Sequence, residues 1–389
     1  MTECCGTEFC FEGATFDSRL VKPGMLYVAL KGENADGNDF IPKALEAGAA
    51  KVIGGEGALE QLQALARDYR RFLKGTTVVA LTGSAGKTTT KELLKSFLST
   101  VGKTHATAGN YNNHLGLPIT ILNCPRDAKF LVLEMGSNHP GEIAALCDIA
   151  EPDSGLVTNI GTAHIEFFKT REGIAEEKGT LLARAKEFGA VPGNCDFKDV
   201  LGSKCRGEFV EAAPLPPKLA DAVRAVLPGE HNLSNASVAF AVASRYGVSV
   251  GDAVKSLENF SLPGSRWRSV EKNGVRFIDD TYNANPDAMK AALSTFAEMA
   301  CGGRKIAVLG DMFELGEASE SLHAEVFDFA SRLALDAVIA VGAASGRCRC
   351  SKSFKTLREL QECAAREFRK GDLVLLKASN AMKLGKLTE

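Results

Sequence analysis

Residues 76–90, Thr-Thr-Val-Val-Ala-Leu-Thr-Gly-Ser-Ala-Gly-Lys-Thr-Thr-Thr, set an unbroken apolar and β-branched run directly ahead of a glycine turn and a Lys-Thr pair. A run with no polar face predicts a strand buried on both sides, which belongs to a parallel sheet covered by helices. The turn suits a phosphate. Gly83, Ser84, Ala85 and Gly86 let backbone N–H groups close around its oxygens, and the amino terminus of a helix predicted from Lys87 to about Thr100 adds positive potential. Lys87 supplies a point charge and Thr88, followed by Thr89, can ligate Mg2+. Leu81 stands where the usual spacing carries a glycine, so the motif is a shortened P-loop. The competing reading, a plain glycine turn with a solvated Lys87, explains neither the preceding strand nor the Lys-Thr pair.

The same alternation recurs along the chain. Phe130–Leu133 and Leu156–Ile160 read as further buried strands, each followed by a helical segment, and repeated strand–helix units imply a doubly wound parallel sheet. Ligands of such sheets sit beyond the carboxyl ends of the strands, where Gly83–Thr88, Glu134 and His164 all fall. A carboxylate at Glu134 suits Mg2+. His164 reads three ways: metal ligand, orienter of a phosphate oxygen, or structural histidine.

Before this sheet, Met25–Leu30 reads as a strand, Lys31-Gly32 as a turn and Phe40–Ala50 as a helix, a small αβ unit. Between Phe188 and Pro217, Gly, Pro, Lys and Cys without clear periodicity predict a surface excursion. Helices resume near Lys218 and His231. A composition break at Leu262-Pro263-Gly264 marks a hinge, and Phe277-Ile278, Lys305–Leu309, Ala337–Val341 and Leu373–Leu376 are the strands of a second α/β, Rossmann-like unit. The expected class is therefore α/β with three domains, 1–74, 75–262 and 263–389, in keeping with the 389-residue length.

Composition narrows the partners. A formal charge of −2 gives no field to attract nucleic acid or an anionic membrane surface, and no apolar run approaches the ~18 residues of a membrane span. Cysteine numbers 11, an odd count in a chain this large, which with no secretory leader points to a reducing cytoplasm. Cys4, Cys5 and Cys10, and likewise Cys348 and Cys350, lack the second Cys/His pair that a zinc site requires.

Taken together, Thr82–Thr90, Gly109-Asn110-Tyr111-Asn112-Asn113, Glu134-Met135-Gly136, Asn159-Ile160-Gly161-Thr162-Ala163-His164, His231-Asn232-Leu233-Ser234-Asn235-Ala236 and Leu309-Gly310-Asp311-Met312-Phe313-Glu314-Leu315-Gly316 resemble the Mur ligases, in order and over nearly the whole chain. Within that family, Asp279-Asp280-Thr281-Tyr282-Asn283-Ala284-Asn285-Pro286 and the Leu309–Gly316 segment are similar to the MurF branch, which ligates D-alanyl-D-alanine. The Asp-x-Ala-His-x-Pro and Asp-Asn-Pro-Arg stretches of the tripeptide-forming sister enzyme do not occur.

The resemblance implies a uridine-binding first domain, a central P-loop ATPase domain and a carboxyl-terminal ligase domain. It implies ATP and Mg2+ as cofactors and UDP-N-acetylmuramoyl-tripeptide and D-alanyl-D-alanine as partners, joined through an acyl phosphate by a cytoplasmic monomer. Lys87, Glu134, His164 and Lys178 would carry the chemistry, with Thr88, Glu134 and His164 holding metal. Asn235 and Arg266 would contact the nucleotide, and Asp280 and Asn283 would close over it. Ser18, Arg19, Lys31, Gly32 and Asn38 would cradle the uridine, Asn112 and Asn113 would line the substrate site, and His323 would lie near the dipeptide. Lys178 matches a lysine that some members carbamylate, although a helical lysine beside Glu176 and Glu177 also reads as a solvated ion-pair partner. Without the resemblance, Arg266 reads as a strand-edge charge and His323 as a packed or solvated histidine.

Three departures stand out. The chain begins later than is usual, so an initial strand and helix of the first domain are expected to be missing. The stretch from Lys178 to His231 is shorter, with Asn194-Cys195-Asp196 in place of an Asn-x-Asp-Asp turn, and a trimmed sheet extension is expected. Asn380-Ala381 replaces an Arg-Gly pair, removing an arginine that binds phosphate or substrate. Two rival readings remain at this level: a folylpolyglutamate synthetase-like amide ligase, and a non-catalytic nucleotide-binding relative. No Asn-Lys-x-Asp guanine motif supports a GTPase.

Overall fold

A parallel strand pair needs a crossover between its members, and helices supply nearly all of them here. The structure, a computed structural model, describes residues 9–32 and 35–389; Cys4 and Cys5 lie outside these. The first unit runs β1 (Ala14–Thr15), β2 (Leu26–Val28), α1 (Ile41–Glu46), β3 (Lys51–Ile53) and α2 (Ala58–Phe72), its strands parallel in the order β1-β2-β3.

The central unit follows as β4 (Thr77–Thr82), α3 (Lys87–Leu98), β5 (Thr104–Ala106), α4 (Gly116–Leu122), β6 (Phe130–Glu134), α5 (Glu142–Ala150), β7 (Ser154–Val157), α6 (Ile165–Phe168), α7 (Arg171–Arg184), β8 (Phe188–Pro192), α8 (Lys198–Lys204), β9 (Glu208–Ala212), α9 (Pro217–Val226), α10 (Glu230–Arg245) and α11 (Val250–Ser256). Its sheet is parallel throughout, in the order β5-β6-β4-β7-β8-β9. The chain leaves β4 toward β5 on one side and leaves β6 toward β7 on the other, so the winding reverses around β4. The crevice beyond β4 is where such a sheet takes its ligand.

Strand β4 shows why the apolar run is unbroken. Val78 and Ala80 face a core shared with Leu62, Leu65 and Tyr69 of α2 and with α4 and α5, while Val79 and Leu81 face a core built with Leu93, Leu94 and Phe97 of α3 and Val238 and Val242 of α10. Both faces of the strand are buried, as the alternation of a pleated strand between two helix layers requires.

The third unit runs β10 (Arg268–Lys272), β11 (Val275–Asp279), α12 (Pro286–Glu298), β12 (Lys305–Gly310), α13 (Ser319–Ser331), β13 (Ala337–Val341), β14 (Lys352–Phe354), α14 (Leu357–Glu367) and β15 (Leu373–Lys377). Its order is β10-β11-β15-β12-β13-β14, parallel except for the β10–β11 hairpin at one edge. The three-domain α/β architecture is thus present. Among the described residues no helix is long and apolar enough to cross a membrane.

The stretch expected to be a surface excursion instead extends the central sheet. Strand β8 is buried at every position and pairs β9 along its whole length. Its signal is hidden because Gly189 must stay small, a Cβ there falling 2.7 Å from Cys205 Sγ and 3.0 Å from Leu182 Cδ2, and because β8 closes on Pro192. Strand β9 is the edge and turns Glu208 and Glu211 to solvent. Strand β7 also ends earlier than expected, at Val157, which frees Thr158–Ile160 for the crevice.

The first and central units are tied through Asp153. Its Oδ2 accepts from the N–H of Val78 at 2.7 Å and from Arg70 Nη2 on α2 at 2.9 Å. Removing this acceptor strands the N–H of a central strand and takes the charged partner from a buried guanidinium, which keeps only the carbonyls of Ala150 and Glu151. Asp153→Ala is expected to cost about 3 kcal/mol, read as a lowered urea midpoint; an unchanged midpoint would show that the contact holds nothing.

Candidate active site

The loop after β4 has its shape because two of its glycines have no room for a side chain. A Cβ on Gly83 (φ 151°) would lie 1.9 Å from Thr158 Oγ1, and one on Gly86 (φ 76°) 2.4 Å from Asn235 Oδ1. The loop is sewn to the residues after β7: Ser84 N donates to Asn159 O at 3.1 Å, Ala85 N to Asn159 Oδ1 at 2.8 Å, and Thr158 Oγ1 to Ala85 O at 2.6 Å. Gly161 N donates to Ser84 Oγ at 2.9 Å. Lys87 lies back over the loop, donating to Gly83 O at 2.6 Å. Burial pushes its ammonium below the usual lysine range, Glu134 opposes that shift and Arg266 adds to it.

The end of β6 brings Glu134 to the same point. Its Oε2 accepts from Thr88 Oγ1 at 2.9 Å and its Oε1 from Asn112 Nδ2 at 2.9 Å. The third unit contributes Arg266, whose Nη2 donates to Thr88 Oγ1 at 3.0 Å while its guanidinium lies 3.4 Å from the centre of the Tyr282 ring. A flat cation stacked on a ring is held in one orientation, so Arg266 is not a loose strand-edge charge. Lys377, buried at the end of β15, gathers Asp280 and Asn283, donating to Asp280 Oδ2 at 2.5 Å and to Asn283 O at 3.2 Å.

These groups line one cavity of ≈660 Å³, with Ser84–Thr89, Asn112, Asn113, Glu134, His164, Asn235, Arg266, Asp280 and Asn283 all on its wall. Its size and mix of apolar and convergent polar groups fit a nucleotide with part of a second substrate. Hard oxygen donors at Thr88 and Glu134, with other positions left to phosphate oxygens and water, are what Mg2+ accepts. Among the described residues no three of His, Cys, Asp and Glu converge on one point, so the protein alone forms no metal cage.

The cavity is closed across the units. Asp287, in the first turn of α12, accepts from Thr162 N and Oγ1 at 2.8 and 3.1 Å. His164, in the left-handed region at φ 59°, brings Nδ1 to 2.6 Å from Glu314 Oε2, and that contact holds the Glu314 carboxyl below its usual range.

Lys178 departs from the solvated ion-pair reading. Glu177 caps the start of α5 through the N–H groups of Gly141 and Ile143, and Glu176 pairs with Lys204. Lys178 itself is 1% exposed, with Ser137 Oγ 3.4 Å from Nζ. Burial, reinforced by the charge of Lys87, lowers its pKa to about 7.

Other expected residues lie elsewhere. Ser18, Arg19, Lys31, Gly32 and Asn38 sit on the first unit, outside the cavity lining; Arg19 pairs with Asp17 at 2.6 Å, and Asn38 Oδ1 accepts from Gly55 N at 2.8 Å. Phe16 of this unit packs on Tyr111 with centroids 5.2 Å apart, which sets the unit against the Asn112 loop. Asn113 lines the cavity but spends Oδ1 on the start of α4. His323 is buried in the third unit, where Nε2 accepts from Met312 N at 2.9 Å and Nδ1 faces Ser319 O at 2.7 Å, so neither nitrogen is free for a ligand.

Residue-by-residue reading missed Asp287, Trp267, Ser137 and Asn138, all on the wall. It also passed over Lys377, and His231 although that residue heads a stretch singled out by motif. Burial pushes His231 down to about 4, so it lines the cavity as a neutral ring.

Comparison with known proteins agrees with this geometry. The Mur ligase family catalytic domain matches residues 11–80, the Mur ligase middle domain residues 81–203, and the Mur ligase glutamate ligase domain residues 265–380. The UDP-N-acetylmuramoyl-tripeptide–D-alanyl-D-alanine ligase of Bacillus subtilis is 32% identical, over 97% of this chain and 92% of its own. The crystal structure of MurF from Acinetobacter baumannii superposes with TM-score 0.82 at 30% identity, covering 96% of this chain and 92% of that one. MurF ligase from Thermotoga maritima in complex with ADP gives 0.80 at 29%, covering 98% and 97%. With a phosphate loop in the middle domain and the other two domains matched in order on either side of it, the chain belongs to the Mur ligase family.

Proposed function

We propose that this chain joins D-alanyl-D-alanine to UDP-N-acetylmuramoyl-tripeptide at the expense of ATP, a step of peptidoglycan precursor synthesis. The observation that carries the reading is the cavity in which Lys87, the Thr88–Glu134 pair and Arg266 converge, in a chain so similar to ligases of that name over almost its whole length.

An ionised carboxylate is a poor electrophile, so the tripeptide's terminal carboxylate must first be activated. One of its oxygens attacks the γ-phosphorus of ATP, the bond to the β-phosphate oxygen breaks, and ADP leaves. The amine of the dipeptide then adds to the acyl phosphate, expels phosphate, and gives up a proton as the amide forms. Two anions have to meet in the first step, so the main task is electrostatic. Lys87 and the N–H groups of Gly86–Thr88 cradle the phosphates, those of Ser84 and Ala85 being spent on Asn159, and Arg266 adds charge from the opposite unit. Asn235 packs against the loop at Gly86, where the nucleotide's sugar and base would pass. Mg2+, held by Thr88 and Glu134, would neutralise phosphate charge. We assign His164 to a second metal or phosphate contact through Nε2, its other nitrogen being taken by Glu314. We place the reaction in the cytoplasm, where ATP and the nucleotide-linked precursor are found, and take a monomer as the active form, because one chain supplies both walls of the cavity.

Lys178 is poised for carbamylation. At a pKa of about 7 half of its amine is neutral at neutral pH, against roughly three in ten thousand for an ordinary lysine. The neutral amine adds to the carbon of CO2 and releases one proton, leaving a buried anion where a cation stood.

Phosphate release should require ATP, UDP-muramoyl-tripeptide and D-alanyl-D-alanine together, yield the UDP-pentapeptide, and fall about a thousandfold in Lys87→Ala. ATP binding without turnover on any substrate pair would favour a binding protein instead. For Lys178, intact-protein mass at fixed dissolved CO2 should show the gain of one CO2 rising as pH increases through about 7, because deprotonation creates the nucleophile. Lys178→Ala should lose activity and regain part of it with short carboxylic acids; a mass that never shifts, with no rescue, would leave Lys178 a plain buried amine.

A further inference from the structure

The loop joining β12 to α13 is pinned at successive residues. Asp311 accepts from the N–H groups of Ala343, Ala344 and Ser345 at 3.0, 3.3 and 2.7 Å. Met312 N donates to His323 Nε2 and Phe313 N to Ser379 Oγ, at 2.9 and 3.0 Å. The side chains of Met312 and Leu315 are buried. Between them stand two that are not. Phe313 is 46% exposed, the one large apolar side chain of residues 265–389 left in the open, and Glu314, at φ 61°, reaches across to His164.

A loop this constrained does not expose an aromatic ring through slackness. The exposure and the left-handed backbone are both imposed by the contacts around them, which is the pattern of a residue kept for binding. The loop also lies beyond the carboxyl ends of β12 and β15, where a parallel sheet takes its ligands, and it faces the central unit at His164.

We propose that Phe313 and Glu314 form the subsite for the free amino end of the incoming dipeptide, Glu314 pairing with its ammonium and Phe313 packing on the methyl of its first residue. This rests on the ligase reading above. ATP offers phosphates and the activated end of the tripeptide offers a carboxylate, both of which Glu314 repels. The dipeptide brings a cation with a methyl group on the adjoining carbon, which matches a carboxylate and a ring on adjoining residues. A diamino side chain in the tripeptide carries its ammonium at the end of methylenes, and the kinetics distinguish that occupant.

The test compares D-Ala-D-Ala with Gly-D-Ala, which lacks only the first methyl, on the full chain. Wild type should prefer D-Ala-D-Ala about tenfold in kcat/KM, the discrimination that one methyl can supply. Phe313→Ala should reduce that preference to about twofold and Phe313→Leu should restore most of it. Glu314→Gln should raise KM for both dipeptides about tenfold with the KM of UDP-tripeptide unchanged. Wild-type discrimination retained in Phe313→Ala, or a change confined to the KM of the UDP-tripeptide, overturns the subsite. Wild-type enzyme that makes no product from D-Ala-D-Ala overturns the ligase reading and the subsite with it, before any variant is made.

Discussion

One hydroxyl joins three distant parts of this chain. Thr88 Oγ1 donates to Glu134 Oε2 at the end of β6 and accepts from Arg266 Nη2 just before β10, so positions 88, 134 and 266 meet on a single oxygen. The first partner is fixed by the β4–β6 register, which sets Leu81 beside Glu134 and puts the loop and the carboxylate at one sheet edge. The second is fixed by the Tyr282 ring under the guanidinium. Loosening any of the three would leave the phosphate cradle without its carboxylate or its covering cation.

The cavity has two walls of different character. The central unit offers Lys87, backbone N–H groups and a hydroxyl–carboxylate pair, a surface for a polyanion and its counter-ion. The third unit offers Arg266 and Lys377 for phosphate or nucleotide, and its loop beside His164 carries Glu314 and Phe313, the subsite proposed for the dipeptide's amino end. Asp287 on Thr162 and Glu314 on His164 hold the walls together. Charge of both signs is thus sorted across one cleft in a protein whose net charge is only −2, and local placement sets the field that a substrate meets.

How much of this was legible in the sequence follows from what each residue answers to. Strand β4, its loop and α3 could be read directly, because burial on both faces demands an apolar run and phosphate approach demands glycine. Glu134 could be read from its place at the end of a buried strand, Arg266, Asp280 and Asn283 were found through motif resemblance, and the structure brings all four to one cavity. Strands β8 and β9 were not legible, since Gly189 answers to a neighbouring helix and β9 turns charge outward. Lys178 read either as a carbamylated lysine or as a solvated partner of two glutamates, but those glutamates serve α5 and Lys204, and only the tertiary fold shows the amine buried beside Ser137. His323, set near the dipeptide by resemblance and read from its residue alone as a packed or solvated histidine, is packed, with both nitrogens spent on backbone and the loop that carries Phe313 and Glu314 propped on it.

The central claim is that the cavity activates a carboxylate by phosphoryl transfer. The direct measurement is to label the terminal carboxylate of the UDP-tripeptide with heavy oxygen, run one round of synthesis with ATP and D-alanyl-D-alanine, and weigh the inorganic phosphate released. An acyl phosphate must hand one carboxylate oxygen to phosphate, so the account predicts one heavy oxygen in each phosphate formed. Phosphate free of the label, alongside the same amide product, would contradict it.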